Sequence, residues 1–241
     1  MKIRFILISV FMFLLAQGVS GVEKDEVSAF VMTGDSVTLH TGVTTNQQED
    51  IIWYCNNIRI AQITGDLRYI CTDVQCNKGT ERFRDRLKLN NQTGSLTIIK
   101  INTADTGIYE LKIFSIRSSS KKTFSVTVHE VSAADEMERK SVKEGESVTL
   151  DPGVMKNPND FMTWHFNDIC IAEISEEPEK ICTDDHCKDG DERFRDRLKL
   201  DHRTGSLTIT NTTITDSGVY HLQINSSSFS IIRSFSVTVT G

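Results

Sequence analysis

The chain is 241 residues long, with 33 Asp and Glu against 27 Lys and Arg, so its formal net charge is −6. That acidic balance argues against nucleic acid as a partner, which calls for clustered Lys and Arg.

Residues 1–21 read as a secretory signal peptide: Lys2 and Arg4, the apolar run "FILISVFMFLLA", then small residues at Gly18, Ser20 and Gly21. The run is shorter than the roughly 20 apolar residues of a membrane helix, and no second one follows. Cleavage removes two positive charges and no acids, which leaves the mature chain at −8. Nothing after "SFSVTV" resembles the hydrophobic tail of a lipid-anchor signal. The expectation is a secreted product, or one on the extracellular side of the plasma membrane, with no membrane span and no anchor within this sequence. A truncated form of a membrane protein is the alternative.

The rest is one domain written twice. "ERFRDRLKL" stands at 81–89 and again at 192–200, a shift of 111 residues. The same shift relates Trp53 to Trp164, Cys71 to Cys182 and Tyr109 to Tyr220, with no gap between. The expected division is a first domain at 22–129, a linker at 130–136 and a second domain at 137–241, each of ordinary domain size.

In chain order, copy one offers "DSVTLH", "DIIWYC", "RLKL", "GSLTII", "GIYELKIF" and "TFSVTV", short β-rich runs with apolar–polar alternation. Turn signals such as "NNQTG" and "DHRTG" separate them. Short strands at regular spacing favour an all-β sandwich.

Each copy runs "GDSVTLHT" or "GESVTLDP", then Trp53 or Trp164, then Asp-x-Gly-x-Tyr ending on Tyr109 or Tyr220. This order resembles the immunoglobulin superfamily, where the tryptophan lies under an inter-sheet disulfide and the tyrosine holds a corner. The disulfide positions hold Thr41 and Leu111 in copy one and Pro152 and Leu222 in copy two. The 70-residue separation in each pair leaves room for two extra strands, so both copies look variable-type, without the usual B–F disulfide. Losing that bond costs roughly 2–4 kcal/mol. A buried leucine contributes about 1.5–3 kcal/mol and offsets much of it.

"FRDRLKLDHRTGSLTI" is similar to the signalling lymphocytic activation molecule family and its lymphocyte function-associated adhesion relatives. The resemblance implies salt bridges between Arg86 and Asp105 and between Arg197 and Asp216. It also implies weak adhesion between immune cells, through the sheet of strands G, F, C and C′. A family member usually follows its first domain with a constant-type one, whereas this chain repeats the variable type.

Six cysteines in an exported chain are expected to pair. Cys71 with Cys76 and Cys182 with Cys187 each close a short loop, "CTDVQC" and "CTDDHC". Zinc binding by Cys182, His186 and Cys187 is disfavoured because copy one has Gln75 at the histidine position. Cys55 falls inward by alternation from Trp53 and reads as a buried thiol. Cys170 lies near a turn, where an intermolecular disulfide is the alternative. No nucleophile elbow, zinc-protease pair or phosphate-binding glycine loop occurs. The expectation is no enzyme, no metal and no cofactor.

Recognition fits better. Counting from the inward Tyr109, the residues Glu110, Lys112 and Phe114 face outward, and Tyr54 faces the same way from the neighbouring strand. An aromatic among charges resembles an interface anchor in a polar surround. The alternative is that Phe114 packs under its own hairpin. The position equivalent to Phe114 is Asn225, in a glycosylation sequon. Asn91 and Asn211 begin two more. The expectation is therefore that copy one binds another cell-surface immunoglobulin-like protein, or itself, while copy two serves mainly as a spacer bearing N-linked glycans. A soluble decoy for such receptors and a structural matrix module are the alternatives.

Overall fold

The computed structural model describes residues 26–42, 49–130, 138–153, 160–174, 181–183 and 192–241. The expected signal peptide, nearly all of the linker, His186 and Cys187 lie outside them, as does the side chain of Cys182.

The first domain has nine strands: β1 (Glu26–Met32), β2 (Ser36–Leu39), β3 (Asp50–Cys55), β4 (Ile58–Ile63), β5 (Ile70–Thr72), β6 (Leu87–Leu89), β7 (Leu96–Ile98), β8 (Gly107–Phe114) and β9 (Ser119–His129). One sheet runs β1-β9-β8-β3-β4-β5, and β2, β7 and β6 face it from the other layer. The second domain repeats this as β10 (Glu138–Lys143), β11 (Val148–Leu150), β12 (Phe161–Phe166), β13 (Ile169–Ile174), β14 (Ile181–Thr183), β15 (Leu198–Leu200), β16 (Leu207–Ile209), β17 (Gly218–Asn225) and β18 (Phe229–Thr240). The strands β3 to β5, β8 and β9 correspond to C, C′, C″, F and G of a variable-type sandwich. The parallel pairing of β1 with β9 gives the A′ strand, which alternation alone did not reveal.

Alternation decides which face is buried. In "GIYELKIF" the residues Tyr109, Leu111 and Ile113 point into the core, and the residues between them do not. Trp53 stands directly across from Leu111, and Trp164 from Leu222, and all four are buried. The indoles donate to Gly94 O at 2.8 Å and Gly205 O at 2.9 Å, which satisfies their one polar group inside an apolar interior. Phe124 lies beside Trp53, and Phe235 beside Trp164, with centroids 5.6 and 5.1 Å apart. The space between the sheets is filled with hydrocarbon instead of a cross-sheet cystine.

The lower end of each sandwich is polar but fully paired. Tyr109 donates its hydroxyl to Asp105 O at 2.7 Å, and Tyr220 does the same to Asp216 O at 2.8 Å. Arg86 reaches Asp105 with two bonds of 2.6 and 2.9 Å, and Arg197 reaches Asp216 at 2.7 and 3.0 Å. Each carboxylate is also the reciprocal cap of a single 3-10 turn. Cys55 is buried beside this corner, where Arg82 Nη2 donates to its sulfur at 3.0 Å, and burial pushes the thiol's pKa up. The tyrosine hydroxyl nearby is correspondingly hard to ionise: burial drives Tyr109 far upward.

The domains also meet. The start of β18 pairs antiparallel with β2, Phe229 opposite Leu39 and Ile232 opposite Ser36, so one sheet crosses from the second domain into the first. The second copy is therefore packed against the first, not simply strung after it.

Candidate recognition surface

Four adjacent strands, β9, β8, β3 and β4, build the outward face of the first domain's larger sheet. Tyr54 of β3 lies opposite Glu110 of β8, and Ile52 lies opposite Lys112. A bulge after Trp53 sets Tyr54 against Arg59 of β4. The side chains interlock across the strands. Lys112 holds its ammonium 4.6 Å from the centre of the Tyr54 ring, a cation–π contact. Glu110 forms an ion pair with Lys121 of β9. Arg59 donates to Gln62 Oε1 at 2.8 Å and to Cys76 O at 3.2 Å.

That last bond ties the sheet to the loop closed by the Cys71–Cys76 disulfide, whose Cα atoms are 5.3 Å apart. This is the one disulfide among the described residues. It ties Cys71 of β5, the sheet's last strand, to Cys76, whose carbonyl Arg59 uses. The side chains of this face are thus held in place by one another and by the disulfide-closed loop.

One end of the face is apolar. Phe114 is 42% exposed and Ile116 84%, so neither packs under the hairpin between β8 and β9. Leu67, Tyr69 and Ile70 are exposed in and after the β4–β5 turn at the same end. Asp50 links the two groups, lying across from Phe114 in the ladder while accepting from Gly65 N at 2.9 Å. Leu67 adopts φ +58°, a strained choice for a large side chain. Several exposed apolar side chains at one place mark an interaction site more strongly than the same residues scattered. Sequence reasoning missed Arg59, Leu67, Tyr69, Ile70, Ile116 and Lys121, since an apolar letter in a loop does not announce whether it is covered.

The equivalent face of the second domain differs in kind. His165 lies opposite His221, which bonds Ser234 Oγ at 2.9 Å through Nδ1. Burial, then the neighbouring charge of His221, lowers the pKa of His165. Half-buried Cys170 pairs across from His165. Asn225 and Ser227 replace Phe114 and Ile116, and the sequence has Pro178 and Lys180 for Leu67 and Tyr69. Asn225 accepts from Gln223 at 3.0 Å and is only partly covered. Asn91 lies in the exposed β6–β7 turn, and Asn211 follows β16 with φ +50°. No group of three or more metal-ligating side chains among the described residues is arranged to hold an ion.

The immunoglobulin V-set domain model matches this chain twice, at residues 24–129 and 135–240. The chain belongs to the immunoglobulin V-set family. V-set domains are extracellular recognition folds and not enzyme scaffolds. Among solved structures, the first Ig-like domain of human CD48 antigen is 20% identical, with a TM-score of 0.36, over 43% of this chain and 82% of that one. Murine CEACAM1b is 18% identical, with a TM-score of 0.34, over 89% and 99%. CD84, of the SLAM family, is 17% identical, with a TM-score of 0.36, over 44% and 98%. The V-set assignment rests on the two matched spans and not on these likenesses. No curated protein matches the chain. Among the described residues no helix is long and apolar enough to cross a membrane.

Proposed function

We propose that this V-set protein is an extracellular recognition molecule of immune cells that binds another immunoglobulin-like surface protein, or a second copy of itself, through the outer face of its first domain. Phe114 is the aromatic anchor, at the apolar end of that face. Tyr54 with Lys112 and Glu110 with Lys121 form the charged surround, which sets specificity and encounter rate more than affinity. The proposal includes removal of residues 1–21 as a signal peptide, the domain limits given above, and N-linked glycans on Asn91, Asn211 and Asn225.

The observation that carries this reading is the contrast at one repeated position. Phe114 offers bare aromatic surface in the first domain, whereas Asn225 begins a sequon in the second. A glycan there blocks face-to-face docking, which leaves the first domain as the binding half. The second domain's docking uses an edge of the first domain's other sheet, so the proposed face stays open.

The test is a binding screen of the full chain against immunoglobulin-like surface proteins, itself included, followed by Phe114→Ala. Loss of binding with an unchanged melting curve supports the reading. Binding that survives both Phe114→Ala and Tyr54→Ala refutes it.

A further inference from the structure

The two domains share a strand acceptor, which is covered in the first domain and, among the described residues, uncovered in the second. The acceptor is "DSVTL" at 35–39 in the first domain and "ESVTL" at 146–150 in the second. In the first, β2 is covered by β18 through the four-residue ladder, and His40 N adds a bond to Ser228 O at 2.8 Å. In the second, β11 is the last strand of its sheet among the described residues, and Glu146, Ser147 and Thr149 are exposed.

Arg233 locks the covered copy. Its Nε and Nη2 donate to the two oxygens of Asp35 at 2.9 and 2.7 Å, while Nη1 bonds Pro152 O. Both charges are buried, Asp35 at 3% exposure and Arg233 at 8%. Asp35 accepts one further bond, from Met32 N at 2.9 Å. A planar fork facing a carboxylate is a geometry that lysine cannot reproduce. Beside it, Ile231 is buried across from Val37 and carries the apolar core from one domain into the other.

The first domain's own strand at this place reads differently. Ser120, Lys121 and Lys122 stand where Ile231, Ile232 and Arg233 stand in the second. Ser119, Ser120 and Lys121 are exposed, and among the described residues the ladder of β1 with β9 begins at Thr123. Serine and lysine on a strand edge are devices that discourage further pairing.

We propose that residues 229–233 form a docking strand that selects strand B of the first domain in the same chain, and that Ser119–Lys122 is the same strand disarmed. A contact between strand G of one domain and strand B of another is head-to-tail. With both G strands competent, each molecule would offer a free donor to the free acceptor of the next, and growth would be open-ended. The serine–lysine edge stops the contact after one intramolecular round. The partner that this surface fits is its own first domain, and a second copy is excluded. This inference does not depend on the identity of any external ligand.

The full-length triple variant Ser120→Ile, Lys121→Ile, Lys122→Arg tests the guard by sedimentation velocity. The expected result is a mass that climbs past dimer with concentration, while the parent chain does not grow past dimer over the same range. Adding Glu146→Lys should return the variant to the parent mass. A folded triple variant that stays monomeric overturns the proposal. So does association that ignores Glu146→Lys, and so does a parent chain whose own association is abolished by that change. A separate arm covers a triple variant that fails to fold. Arg233→Glu should increase the hydrodynamic radius at constant mass, and Asp35→Arg added to it should restore compactness. An unchanged radius in Arg233→Glu sinks the docking strand.

Discussion

Arg86 holds Asp105 with two parallel hydrogen bonds, and the carboxylate it holds is fully buried. The pair closes the lower end of the first sandwich, and hydrogen bonding to Asp105 strengthens the protonated arginine. Breaking such a pair from one side strands a buried charge, which costs about 3–5 kcal/mol. Arg86→Ala is expected to lose roughly 3 kcal/mol in urea unfolding, at the lower end because Arg86 keeps some solvent contact. Arg86→Lys should recover part of the loss, since it restores the charge without the fork.

The absent cross-sheet disulfide makes two leucines decisive. Leu111 and Leu222 are buried opposite Trp53 and Trp164 and occupy the second half-cystine position. Leu111→Ala and Leu222→Ala should each cost about 2–5 kcal/mol, the range for large-to-small changes in packed cores. Calorimetry of the two variants checks this. A change near zero in either would mean that the domain's core relies on something else.

Cys55 is a chemical probe of the same interior. Its thiol is buried, its pKa is raised chiefly by burial, and nearby Arg82 only partly opposes that. Iodoacetamide at neutral pH should leave Cys55 unmodified in the native chain and modify it in urea, as read by peptide mass spectrometry. Rapid native labelling would contradict the packing described here.

The legible parts of the fold were those with a local cause. Alternation in "GIYELKIF" placed Tyr109 and Leu111 inside and Glu110, Lys112 and Phe114 outside, because a strand's side chains have only two directions. The repeat placed Trp164, Tyr220, Leu222 and the Arg197–Asp216 pair of the second domain by arithmetic. The pairing of β18 with β2 was not legible. "SIIR" and "SSKK" both read as ordinary strand ends, and only the fold shows which edge meets an acceptor about 190 residues earlier. The apolar cluster of Leu67, Tyr69, Ile70 and Ile116 escaped for a related reason: turns bring these residues to one end of the sheet.

Two acid-sensitive windows follow from the titrating groups. Burial, then His221, lowers the pKa of His165; burial, then Lys122, lowers that of His40; Asp168 opposes the shift at His165. The unfolded chain therefore binds these protons first, near pH 6.5, and stability falls as pH drops through that value toward the lower folded pKa. Replacing His165 with Tyr, the residue in the first domain, should make this limb shallower and leave the part due to His40. Asp216 acts lower down. Burial works to raise its pKa, but the hydrogen bonds from Arg197 and the Thr213 backbone outweigh burial and leave it lowered. Its contribution is complete above about pH 4 and is lost as pH falls through the folded value. Urea unfolding between pH 7.5 and 3 should show both limbs, and a flat profile above pH 5 would remove the histidine contribution.

The contrast between Phe114 and Asn225 can be made into an experiment by writing the second domain's residues into the first. Phe114→Asn with Ile116→Ser creates Asn-Ser-Ser at 114–116, the triplet found at 225–227. Both original side chains are exposed, so the fold should tolerate the change with a stability shift of about 0.5 kcal/mol or less. Expressed in a glycosylating host, the variant should gain the mass of one N-glycan and lose partner binding. Enzymatic removal of the glycan separates two causes. If the sugar alone blocks docking, binding returns to about the parent level; if Phe114 is also the anchor, binding stays well below that of the parent. Undiminished binding by the glycosylated variant would move the contact surface off this face altogether.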